Sequence, residues 1–184
     1  MYSNQFFKDG FLTLKSELDT TLEQVSDDHF LQLPTNGGWC IGEVISHINK
    51  TTDQYLGQME VPFNQDLDRL PKGSDNYSLP WTMRKFVSVV SPDFKTKVKT
   101  FPVFFPDKKA DLNREEVVNH YHQNMDRFLA IVDKAETHNL DLDKIKVRNP
   151  VVKFLKMSIS ACLAIHEAHT RRHLVQIERL IGQD

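Results

Sequence analysis

The residue types in this chain most able to do chemistry are its histidines. There are eight in 184 residues, and three of them, His166, His169 and His173, fall within eight positions near the C-terminal end. At about 100° per residue, His169 and His173 lie about 40° apart on a helical wheel and His166 about 60° from His169. All three therefore share one face. A pair spaced i,i+4 brings two imidazoles one turn apart, close enough for both to reach one ion through metal–nitrogen bonds of about 2.0–2.1 Å. Their wheel position coincides with Cys162 and Ile177, so the pair points inward, where two unpartnered imidazoles would be costly and an ion would remove that cost. The plainer reading is a polar helix face whose histidines pair with acids.

A pair of imidazoles needs further ligands from another element. His47 is the candidate, placed mid-helix between Ile45 and Ile48, with Val44 on its inward side. A lone histidine on an apolar stripe is ordinarily a satisfied core residue; the inward pair elsewhere in the chain alters that balance. Glu43 stands one turn before His47 and can orient its ring or act as a base. Glu167 does not complete a zincin motif, because His-Glu-x-x-His requires histidine where Thr170 stands. His120 and His122 point about 160° apart and are expected to be surface or packing residues, with His29 and His138 at helix ends facing solvent.

These side chains must be positioned by helices. Phe6, Phe7, Phe11, Leu14, Leu18, Leu22 and Val25 recur at three- and four-residue steps, the mark of an amphipathic first helix. Pro34-Thr35-Asn36-Gly37-Gly38 breaks the chain. A second helix starts near Ile41 and stops before Pro62. Residues 61–110, interrupted by six prolines, read as a long irregular crossover with one short helix at Trp81 to Val90. Connections this long tend to cover a site. Asn113 caps a third helix that carries Val117, Tyr121, Met125, Phe128 and Val132. A polar linker closes at Asn149-Pro150, and a last helix is expected over Val151 to Ile181, ended by Gly182. Four main helices with one long connection make an all-α four-helix bundle, a single domain over 1–184.

Composition restricts the partners. Hydrophobic residues are 40% and charged residues 26%, as expected of a folded soluble chain, and the net charge of −2 provides no overall basic field for nucleic acid or anionic membrane. No apolar run approaches the roughly 18 residues of a membrane span, and Met1 to Gln5 show no secretory pattern, so a cytoplasmic location is expected. Cys40 and Cys162 lie far apart in the sequence and read as buried free thiols.

The residues singled out above resemble the DinB-like superfamily of small metal-binding bundles. The likeness rests on Trp39-x-x-x-Glu43-x-x-x-His47-Ile48 and on His169-x-x-Arg172-His173-x-x-Gln176-Ile177. It extends to Pro34 and Gly37-Gly38 before the tryptophan and to Asn149-Pro150 before the last helix. The resemblance implies an up-down-down-up bundle and a divalent ion, Zn2+ or Ni2+, on His47, His169 and His173, with water in open coordination positions. It also implies frequent homodimers. Relatives include transferases and isomerases acting on low-molecular-weight thiols, and others are grouped as metal-dependent hydrolases; DNA binding is not implied. His166 and the length of the 61–110 insertion depart from the pattern.

Three functions follow. A metal-dependent enzyme, hydrolase or thiol S-transferase, would use the open ion on a small-molecule substrate. Glu43 and His166 would serve in proton transfer, and Arg172, if it faces the site, would hold an anionic group. A non-catalytic metal- or ligand-binding module is the alternative, and a metal-free interaction protein the third. His166, about 10 Å of helix rise from His173, is expected to line the pocket rather than ligate.

Overall fold

In the computed structural model, residues 1–182 are described apart from 36, 74 and 97. Four long helices form the bundle: α1 (Asn4–Leu22), α3 (Ile41–Met59), α5 (Arg114–Thr137) and α6 (Ile159–Ile181). Two short helices, α2 (Asp27–Phe30) and α4 (Trp81–Val90), and a hairpin of β1 (Lys146–Arg148) and β2 (Lys156–Ser158) complete the described elements beside short 3-10 turns. Each long helix begins where its sequence supplies a partner for an orphan amide. Ser3, Asn113 and Ser158 side chains accept from the backbone N–H three residues on, and the Glu43 carboxylate reaches back to the Cys40 N–H at 2.9 Å.

The helix directions follow from which residues meet. Phe11 stacks on Phe128 and the Tyr121 hydroxyl donates to the Leu14 carbonyl, so α1 and α5 are antiparallel. Asn49 reaches the Val117 carbonyl while Glu60 pairs with Arg127, so α3 and α5 run parallel. Glu17 and Arg171 pair, and Gly10 abuts Glu167, so α1 and α6 are parallel. The result is the expected up-down-down-up bundle. Because α3 and α5 point the same way, the chain must return the length of the bundle between them. The 61–110 insertion makes that return and lays α4 against α6.

The core is one continuous cluster. Phe7, Phe11, Leu14, Leu18, Ile45 and Ile48 are among its wholly buried members. Gly42 shows why the entry to α3 needs a small residue: a Cβ there would sit 2.7 Å from the ring of Phe30, which is itself fully buried. Gly37 and Gly38 take φ of +76° and +121°, so the breaker before α3 turns through backbone open to glycine; Asn36 lies outside the described residues. Cys40 and Cys162 are buried and free, and burial pushes the Cys162 thiol up to about 12.

The last helix corrects the sequence expectation. It begins at Ile159, not Val151, and residues 146–158 form the antiparallel hairpin, with Val147 opposite Met157. The reason is Asn149. Its Oδ1 accepts from both the Val151 and Val152 amides, and its Nδ2 donates to the Tyr55 hydroxyl at 3.0 Å, so the chain after Pro150 is folded into a turn. Phe154, inside the range expected to be helical, is 91% exposed at the hairpin end. Asn149 is buried, so Asn149→Ala should lower unfolding stability by about 1–3 kcal/mol, the cost of unpaired buried groups. Urea denaturation checks this, and an unchanged midpoint would show the turn to be held by other contacts.

Candidate metal centre

The site sits where α3 packs against the middle of α6. His47 comes from α3, His169 and His173 from α6, and their ring centroids are 5.2, 4.8 and 4.5 Å apart. One nitrogen from each lies within 4.8 Å of the other two. The antiparallel run of α3 against α6 is what brings a mid-helix histidine opposite an i,i+4 pair. Trp39 lies with its ring 4.9 Å from that of His47, covering it from the loop side.

Two of the three rings are oriented by oxygen acceptors. His47 Nδ1 lies 2.7 Å from the Phe104 carbonyl, and His173 Nδ1 lies 2.9 Å from Gln176 Oε1. A carbonyl oxygen can only accept, so each Nδ1 carries the proton and each Nε2 keeps its lone pair. The Nε2 atoms of His169 and His173 are 3.1 Å apart. That spacing fits an N–H···N hydrogen bond, and it fits two ligands on one tetrahedral ion, for which bonds of about 2.05 Å place nitrogens about 3.3 Å apart.

Electrostatics keep the rings neutral. Burial pushes His47 below its ordinary value, against a smaller opposing effect of the Phe104 carbonyl. Burial also holds His173 down to about 3, with His47 adding to it, and takes His169 well below the ordinary value with His173 and His47 contributing. Neutral imidazoles are the form that binds a cation. The donor set therefore fits a divalent ion with three nitrogen ligands.

His166 lies behind this group rather than in it. Its ring is 6.5 Å from that of His169 and packs against Tyr55 at 4.6 Å and Phe128 at 5.2 Å. It is 1% exposed, neither ring nitrogen has a hydrogen-bond partner among the described residues, and burial holds it down to about 3. Glu43 is engaged at the helix start through Cys40, and no described hydrogen bond joins it to the three imidazoles. The ring of His47 is oriented by Phe104 instead. Sequence reading missed that carbonyl, because a backbone atom from a distant insertion carries no residue-type signal.

Arg172 does not present a free guanidinium. It donates to the carbonyls of Ser91 at 2.9 Å, Phe94 at 2.5 Å and Thr96 at 3.2 Å, fastening the end of α4 beside His173. His120 pairs with Asp53 and His122 with Asp19, as packing residues between helices. His29 and His138, expected to face solvent, are partly buried at helix ends.

The DinB superfamily family model matches residues 11–177, which runs from within α1 to near the end of α6 and takes in the three clustered histidines. The chain belongs to the DinB superfamily. No curated protein and no solved structure matches it.

The buried histidines make a pH prediction. A group held at about 3 when folded and at its ordinary 6.5 when unfolded binds its proton first in the unfolded chain. Stability therefore rises with pH across that window and is lost as pH falls through it. For His166 alone the loss from pH 7 to pH 5 is about 2 kcal/mol. His166→Phe should remove that share of the acid sensitivity in the metal-free protein, read by urea unfolding at both pH values. Parallel losses in variant and parent would show that His166 does not titrate as a buried group.

Proposed function

We propose that this protein holds one divalent ion, Zn2+ or Ni2+, through His47, His169 and His173, and is a metal-dependent enzyme acting on a small molecule. The observation that carries the reading is the convergence of three neutral imidazoles, two with Nδ1 committed to an oxygen acceptor and Nε2 turned inward. An ion on three neutral ligands keeps its full double charge, and would lower the pKa of a bound water or substrate thiol. Hydrolysis and thiol S-transfer are the two reaction classes that use that property.

The protein's own groups have separate tasks. The Phe104 carbonyl and Gln176 fix the tautomers of two ligands, so the rings need not reorganise when an ion arrives. Of the two proton-transfer candidates, Glu43 already accepts the Cys40 amide, and His166 lies enclosed behind His169 with neither ring nitrogen paired among the described residues. Arg172 holds the 91–96 turn against α6 and has no described role toward an anionic substrate. No helix among the described residues is long and apolar enough to cross a membrane.

One observation favours a second reading, a non-catalytic binding module. His47 and His173 are only 4% and 8% exposed, so the approach to the ion is narrow. Metal analysis of the purified protein, followed by a screen of thiol and ester substrates, separates the two. Bound metal with turnover that a chelator stops supports the enzyme; bound metal without turnover on any such substrate supports the module.

Three variants test the ligand set. His47→Ala, His169→Ala and His173→Ala should each abolish tight metal binding, measured by elemental analysis after dialysis. Equal occupancy in any variant and the parent removes that residue from the site. His166→Gln should retain metal and lose activity, whereas a ligand would lose both. Chelation should lower the melting temperature while helical circular dichroism at 25 °C persists, because the apolar core folds without an ion. Collapse of the helical signal would show the ion to be structural.

A further inference from the structure

The 61–110 insertion does more than return the chain. Its segment 101–107 lies across α3 and supplies the carbonyl that orients His47. Asp107 fastens that segment to α3 through its side chain and its amide. The Asp107 amide donates to Ser46 Oγ at 3.0 Å, the Ser46 hydroxyl donates to Asp107 Oδ2 at 3.0 Å, and Lys50 Nζ lies 2.6 Å from Asp107 Oδ1. Ser46 and Lys50 are one turn apart on α3, and Ser46 is the immediate neighbour of the ligand His47. The peg and the imidazole therefore share a helix turn.

The intervening chain is short and stiff. Phe104 and Asp107 are three residues apart, and Pro106 both fixes its own φ and confines Phe105 to extended backbone. A 3-10 turn over Pro102–Phe104, closed by the Phe104 amide on the Phe101 carbonyl at 2.9 Å, presents the Phe104 oxygen to the site. The Phe104 ring is buried, 6.4 Å from Tyr55. The Lys50 ammonium holds the Asp107 carboxyl below the usual carboxylate range, which keeps it charged for both partners.

We infer that Asp107 is a positioning residue for the metal centre: pegged to Ser46 and Lys50, it holds the Phe104 carbonyl on His47 and so ties the order of the insertion to metal affinity. The inference rests on the metal reading above. If the seated segment raises the affinity for the ion, the ion must stabilise the seated segment by the same factor, because the two equilibria form one thermodynamic cycle. Loss of a group that orients a histidine ligand typically costs 10–100-fold in affinity. A merely structural role would lower stability with and without metal and leave the affinity alone.

The experiment uses the full chain, with Zn2+ as ligand and Co2+ as a spectroscopic probe. Asp107→Ala should bind Zn2+ on the order of 10–100-fold more weakly, with an altered Co2+ ligand-field band. Its metal-free melting temperature should change little, because the Asp107 side chain is 52% exposed. Lys50→Ala, which leaves the insertion's own sequence intact, should weaken Zn2+ binding in the same direction. In the parent, hydrogen exchange at the Phe104 and Asp107 amides should slow on Zn2+ saturation by a factor of the same order as the affinity lost in Asp107→Ala. A parent that binds Zn2+ while both variants bind it equally well, or a parent whose 101–107 amides are indifferent to Zn2+, overturns the inference and leaves the metal site standing. A parent that takes up no divalent ion overturns both.

Discussion

Everything distinctive in this bundle depends on placing three imidazoles against one another in a nearly closed interior. Each ring loses hydration, and each would repel its neighbours if protonated, so all three are held neutral. Neutrality alone is not enough, since a neutral imidazole still has one donor and one acceptor to satisfy. The Phe104 carbonyl and the Gln176 amide oxygen take the donors of His47 and His173, which leaves lone pairs turned toward the centre. An interior built this way favours a cation and disfavours protons.

The bundle topology makes the rest follow. With α3 and α5 parallel, a connection as long as the bundle is unavoidable, and such a connection lies on the outside of the helices it passes. Here it passes the histidines. It is fastened there twice, by Arg172 holding the 91–96 turn and by Ser46 and Lys50 holding Asp107. A segment that could have been an untied loop thus becomes part of the wall around the site, with Phe104 wedged against Tyr55.

His166 shows a different compromise. Its ring is surrounded by Tyr55, Phe128 and the back of His169, with neither nitrogen paired among the described residues. Leaving such a group buried costs stability. The same placement puts a neutral ring one turn behind a ligand.

The sequence by itself determined the bundle and the three-histidine group. Helical period is a local property, so the apolar steps of α1, α3 and α5, the cap at Asn113 and the helix start near Ile41 were legible, and an i,i+4 pair fixes its own geometry wherever the helix lies. His47 was legible as a partner because the inward-facing pair elsewhere in the chain called for a further ligand, and the family resemblance pointed to the same residue. Tertiary structure alone decided what fills the remaining valences. It was the fold that set the Phe104 carbonyl on His47, committed Arg172 to three carbonyls beside His173, and opened α6 at Ile159 after the Asn149 turn. Each of these is hydrogen bonding between a side chain and backbone groups, two of them with groups more than 50 residues away along the chain and the third with amides two and three residues on. Backbone groups are the same at every position, so no residue type announces which of them a fold will bring into reach.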